Sequence, residues 1–445
     1  TSGASAVRRT SIVGTISVTG GAFDSTTIDA IENIALVTAD LYRNSTLLGR
    51  PTEVHPNMIS SSRNIGSIVT TGLTGDMSDL VIDVIGTVTG NIGAGNLVRM
   101  SINVDNVINS ISATVDIRGT SIVTGRITSM TVGRDLKNTS LDVAGPVETI
   151  TVGRQIAGLT LLSSGPDGRI GTLRAQGSIQ ADISSSGPIQ VIESVNSDIT
   201  GRIVTTDVDG NIGTLRAGRD LLVDALFTGS ATTITAGRHI GRKSDLDDRA
   251  LDIRGNLGSV TAGGQIYSDL LVGQAITGTV TIGRVSAKPN NDQVGSGDIK
   301  AFGRINAIVI DGDFNANITS YSHGIGTITI NNGSLRQGKT ITALDGSIDR
   351  ITITGGDLLG NIYTDGDLTL LEMLTGANNY ASHIGISRFK STATGVPRDS
   401  TRNELPPGTV RTSGADDDVG KAVAVDVSRR RDRNATLVLL RRTAK

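Results

Sequence analysis

Apolar positions along this chain alternate with polar ones in short bursts that glycine interrupts. In 125–145, "GRITSMTVGRDLKNTSLDVAG", the apolar residues are Ile127, Met130, Val132, Leu136, Leu141 and Val143. Met130-Thr-Val132 and Leu141-Asp-Val143 alternate with the period of two that puts one side chain of each pair inside and the next outside a strand. No run of ten or more residues here carries the 3.6-residue stripe of a helix. Thr, Val and Ile fill the segments between glycines, and these residues suit a pleated surface. Gly and Asn recur every few residues, where short strands must turn corners.

The bursts repeat. "TVGRDL" at 131–136 returns as "TVGRQI" at 151–156, and looser copies read "RAGRDL" (216–221), "TAGRHI" (235–240), "TAGGQI" (261–266) and "TGGDLL" (354–359). Marking the glycine that opens each unit (Gly125, Gly145, Gly168, Gly187, Gly210, and on to Gly366) gives a period of about 22 residues, in the range of solenoids and arrays. Two or three short strands per period predict an all-β fold, a parallel β-helix (β-solenoid). About 14–15 coils of ~22 residues are expected, each burying its aliphatic face only by stacking on its neighbours. General chain chirality favours the right-handed form. Leucine-rich repeats are excluded by their missing L-x-x-L-x-L signature. Propellers are excluded by the shortness of the unit.

Both ends leave the pattern. Residues 1–65 are expected to cap the solenoid or form irregular first coils. Within them, Ile28, Ile31, Ile34, Leu36, Val37 and Leu41 fit either an amphipathic capping helix or two strands. The solenoid proper spans 66–390. Residues 391–420 hold three of the nine prolines and read as an extended linker or arm. Residues 421–445 carry two apolar strands, "KAVAVDV" (421–427) and "ATLVLL" (435–440), too little for an independent domain.

Composition narrows the function. With 37% hydrophobic residues among 445, the chain suits a narrow solenoid core better than a large globule. Aromatic residues are only 2%, which removes the usual stacking platforms for sugars and single-stranded nucleic acids. A net charge of −2 gives no field directed at nucleic acid. The chain has no cysteine, so disulfides and thiolate metal sites are excluded. No stretch approaches the roughly 18 apolar residues of a membrane helix. The opening "TSGASAVRRT" lacks Met, as the mature end of an exported chain would.

Few residues point to site chemistry. Asp416, Asp417 and Asp418 in "GADDDVG" are a candidate Ca²⁺ site, since hard cations take clustered carboxylate oxygens; a solvated loop is the plainer account. Arg429, Arg430 and Arg431 in "SRRRDR" are candidates for a contact with an acidic neighbour. With the apolar strands they form an expected subunit contact. It is placed at Ala422, Ala424 and Asp426 on the first strand and at Leu437, Val438 and Leu439 on the second. The GR arginines Arg134, Arg154, Arg219, Arg238 and Arg284 share a phase in their coils. They are read mainly as exposed corners balanced by nearby aspartates such as Asp135 and Asp220.

The pattern resembles the Gly-rich β-strand repeats of large secreted bacterial surface proteins, planctomycete-like in character, over about residues 66–385. That resemblance implies an adhesin, a surface-layer component or a fibre subunit. The fold also resembles that of pectate lyases and polygalacturonases. Their N-T-D, G-H-G and R-I-K signatures are missing, and Asp247, Asp248 and His323 are the nearest approach to such a site. The expected function is therefore non-enzymatic: an extracellular subunit of a filament or surface layer, joined to copies of itself, with no cofactor beyond a candidate Ca²⁺. The alternatives are a monomeric adhesin on a surface glycan and, behind it, a polysaccharide lyase or hydrolase.

Overall fold

The computed structural model describes residues 13–24, 27–30, 33–43, 57–61, 63–70, 75–242, 250–283, 297–374, 384–386, 423–425 and 438–440. They form an all-β, parallel β-solenoid of about 15 turns whose coils recur roughly every 20 residues. Among the described residues there is no helix. The chain divides into two compact units, Thr1–Gly229 and Ser230–Lys445.

Each unit is built by the same device. In the first, the strands Ser121–Val132, Val147–Val152, Ile170–Ala175, Ile189–Ser194 and Ile212–Ala217 pair in parallel, one per coil. Register stacks Met130, Ile150, Leu173, Ile192 and Leu215 in one inward column. Every member has 0% exposure, so each side chain packs on its equivalents above and below. In the second unit Ile234, Val260, Val280, Ile308, Ile328, Ile351 and Leu371 form the corresponding column. The outward residues beside them are mostly Thr, Ser or charged, alternating with the inward ones as the two-residue period of a strand requires.

The glycine of the TVGR phrase has a packing cause. A Cβ on Gly153 would lie 2.0 Å from the carbonyl oxygen of Gly133, and one on Gly133 would lie 2.0 Å from that of Thr114. Corners of successive coils touch backbone to backbone there, and only hydrogen fits.

At the N-terminal end the two-strand reading holds and the capping helix does not. Thr27–Ala30 and Ile34–Arg43 are strands, the latter pairing in parallel with Val13–Asp24 on one side and Ile65–Thr70 on the other. Ile28, Ile34 and Val37 are buried. The spacing of these aliphatics serves consecutive strands as well as it would serve one helix face. In the C-terminal segment, Val423–Val425 pairs antiparallel with Val438–Leu440, Ala424 opposite Leu439 and Val425 opposite Val438. The second of these strands lies beside the solenoid strand Leu368–Leu374.

Candidate functional site

The most regular polar feature is a ladder of side chains at one corner of several successive coils. It occupies the residue just before the first inward aliphatic of a strand. In the first unit Ile34 N–H donates to the carbonyl of Asn64 at 3.0 Å, while Asn64 N–H donates to Asn33 Oδ1 at 3.1 Å. The next step repeats both bonds, with Ile65 N–H on the Thr87 carbonyl and Thr87 N–H on Asn64 Oδ1, each at 2.9 Å. In the second unit the series runs Asp269, Asp298, Asn317, Thr340. Asp298 N–H reaches Asp269 Oδ1 at 2.8 Å, Asn317 N–H reaches Asp298 Oδ1 at 3.0 Å, and Thr340 N–H reaches Asn317 Oδ1 at 3.0 Å. At this corner a side-chain oxygen, in place of a backbone carbonyl, accepts the N–H of the next coil.

One such ladder in the first unit becomes an ion cluster. Asn96 donates to Asp76 at 2.6 Å, Asp116 N–H to Asn96 Oδ1 at 3.2 Å, and Asp135 N–H to Asp116 Oδ1 at 2.9 Å. Asp135 has no exposed surface. Its carboxylate takes Arg154 on both oxygens, with Nε at 2.6 Å, and Lys137 Nζ at 2.8 Å; Arg118 pairs with Asp116. The Arg154 hydrogen bond holds the Asp135 carboxyl far below the usual carboxylate range, against the opposing pull of burial and with help from Lys137. Other charges also bridge coils. Glu148 takes Arg126 at 3.0 Å and Arg169 at 2.8 Å; Glu193 takes Arg174 at 3.0 Å and Arg216 at 3.1 Å.

A second feature breaks the aliphatic rule. Phe302, Tyr321 and Leu344 occupy one corner position of three successive coils, each following a register-paired residue (Ala301, Ser320, Ala343). They are 65%, 43% and 46% exposed in a chain with ten Phe and Tyr in all. The Phe302 and Tyr321 rings stack with centroids 6.4 Å apart. Beside them Ser322 Oγ donates to the Phe302 carbonyl at 2.7 Å and lies 2.8 Å from His323 Nδ1. His323 has φ 69°, and Arg304, paired with Asp349 at 2.6 Å, reaches its carbonyl at 3.4 Å.

Of the residues expected to form a site, Ala424, Val438 and Leu439 fall in the described hairpin. Asp416, Asp417, Asp418, Ala422, Asp426, Arg429, Arg430, Arg431 and Leu437 lie outside the described residues, as do Asp247, Asp248 and Arg284. Among the described residues no three His, Cys, Asp or Glu side chains converge as a metal site would need, and no helix is long and apolar enough to cross a membrane. The GR arginines divide. Arg154 is the partner of buried Asp135, and Arg219 Nε stands 3.8 Å from Asp198. The aromatic corner escapes a reading of the sequence because its members are 19 and 23 residues apart; only the register brings them together. No family model, curated protein or solved structure matches the chain.

Proposed function

We propose that this protein is a non-catalytic, extracellular structural element: a solenoid subunit of a filament or surface layer. The observation that carries the reading is the direction of its polar chemistry. Carboxylates, amides and guanidinium groups, buried at Asp116 and Asp135 and reaching solvent at the arginines, connect one coil to the next, as in the Asp76–Asn96–Asp116–Asp135 series and the Glu148 and Glu193 bridges. Such groups tie neighbouring coils together in a chain without cysteine. The apolar hairpin supplies a connector. It lies against a solenoid strand of its own unit, and exchange of that contact between copies would join subunits without new surface. Negative-stain microscopy of the full chain tests this. Regular filaments or sheets are expected from the wild type, and Val438→Asp, which puts a charge into the paired strand, should leave dispersed particles. Polymers unchanged by Val438→Asp would eliminate the hairpin as connector, and a wild type that stays dispersed at all concentrations would eliminate the assembly reading.

One observation favours a second reading, a glycan-binding surface protein. The exposed Phe302, Tyr321 and Leu344 corner offers the apolar stacking surface that a sugar ring uses. Retention on neutral polysaccharide that Tyr321→Ala abolishes would support it; equal retention of both proteins would dismiss it.

A further inference from the structure

One sheet of the Ser230–Lys445 unit carries a two-column outward grid. The first column pairs Thr235, Thr261, Thr281, Val309 and Thr329 in unbroken parallel register over five coils. Two residues earlier in each strand stand Thr233 and Ser259, which are register partners, then Thr279, Ala307 and Thr327, also partners, with one bulge between the two groups. Seven of the ten positions are threonine and none is charged. The residue between each pair (Ile234, Val260, Val280, Ile308, Ile328) has 0% exposure, which fixes both columns outward.

Two further observations separate this grid from a plain preference of strands for threonine. Among the described residues none of the seven hydroxyls hydrogen-bonds to the protein, although Thr277 Oγ1, just beside the grid, bonds the Leu257 carbonyl. The corresponding positions of the other unit read Ser110/Ser112, Ser129/Thr131, Thr149/Thr151, Thr172/Arg174, Val191/Glu193 and Thr214/Arg216, and the coil after the grid reads Arg350/Thr352, so the fold accepts charge there. Neighbouring strands set rows about 4.8 Å apart, and alternate residues of a strand set columns about 6.7 Å apart. β-Branched side chains have few χ1 rotamers open to them, which limits how far the methyl and hydroxyl groups can depart from the backbone repeat. The surface is thus rigid, uncharged and two-dimensionally periodic, with one methyl and one hydroxyl per threonine. These two spacings are close to the oxygen row separations on faces of hexagonal ice.

We propose that the threonine grid is an ice-binding surface. Its methyl groups order water into cages and its unbonded hydroxyls anchor that layer to the crystal. This inference is independent of filament formation. The test uses the full chain in a nanolitre osmometer, with ice shaping and fluorescent labelling of growing ice as further readouts. Wild type should show a gap between melting and freezing points, faceted crystals and labelled ice. Thr281→Lys, at the middle of the grid, should remove all three, while Thr214→Lys, on the equivalent outward face of the other unit at the position matching Thr279, should leave them. Circular dichroism melting of both variants guards against misfolding: both face outward and should melt with the wild type. Smooth, unlabelled ice discs with wild type would overturn the proposal. So would equal loss in both variants, no loss in Thr281→Lys, or binding to crystalline polysaccharide with none to ice.

Discussion

Asp135 is a carboxylate without solvent contact that nevertheless stays ionised. Two cations, Arg154 and Lys137, and the backbone ladder from Asp116 surround it. Its acid form is unfavourable in the fold, so its folded pKa lies below the unfolded value of about 3.9. A carboxyl depressed in this way adds stability that is fully present above the unfolded pKa and is lost as pH falls through that value toward the folded one. Asp135→Asn keeps the shape and removes the charge. It should destabilise the surrounding coils by about 2 kcal/mol near neutral pH, the order expected for hydrogen bonds to a charged group. The difference in melting temperature between variant and wild type should shrink as pH falls below about 4. A gap that stays constant into acid would show that the charge does not matter and that only packing was disturbed. The sequence shows Asp135 as a charge beside GR arginines; its burial is a product of register, which no single unit displays.

Many strands start from the same arrangement: an Asn, Asp, Ser or Thr, then an inward aliphatic. Asn317 shows why the amide is useful. It receives Thr340 N–H at 3.0 Å and Thr340 Oγ1 at 3.2 Å on its oxygen, and its own nitrogen donates to Asp298 Oδ1 at 3.0 Å. One side chain therefore ties three coils. Asn317→Ala should leave the half-buried Thr340 N–H without its acceptor and cost about 1–3 kcal/mol. Asn317→Asp should recover part of this, because a carboxylate still accepts. Amide exchange of Thr340 is the direct readout: faster in Asn317→Ala and partly restored in Asn317→Asp, whose carboxylate accepts from Thr340 but can no longer donate to Asp298. Equal exchange in all three proteins would mean that water replaces the side chain without loss. The strands themselves were plain in the sequence, since Ile150 and Val152, or Ile328 and Ile330, alternate with polar residues inside a visible period. The N-terminal strands were ambiguous because Ile28, Ile31, Ile34 and Leu41 satisfy a helix period as well, and parallel pairing with Ile65–Thr70 decides the matter. The aromatic corner and the threonine grid were illegible for the opposite reason. Their members are ordinary within any one coil and acquire meaning only when neighbouring coils are aligned.

A stacked fold of this kind spreads stability along the chain instead of concentrating it in one core. Each inward column is a series of nearest-neighbour contacts: Ile150 pairs with Met130 on one side and Leu173 on the other. Nothing in that geometry couples Ile150 directly to a coil four turns away, so a lesion should act locally and fade with distance. Ile150→Ala removes a fully buried side chain and should cost about 2–5 kcal/mol where it occurs. Hydrogen exchange followed by mass spectrometry distinguishes the two outcomes. Protection should fall most in the strands Ser121–Val132, Val147–Val152 and Ile170–Ala175 and less in Ile212–Ala217. The Ile325–Asn331 strand of the other unit should exchange as in wild type. A uniform loss of protection from end to end would instead mean that the chain opens as one cooperative body. In that case the coil-to-coil bridges at Asp135, Glu148 and Glu193 would transmit strain over the whole length, as a load-carrying fibre subunit requires.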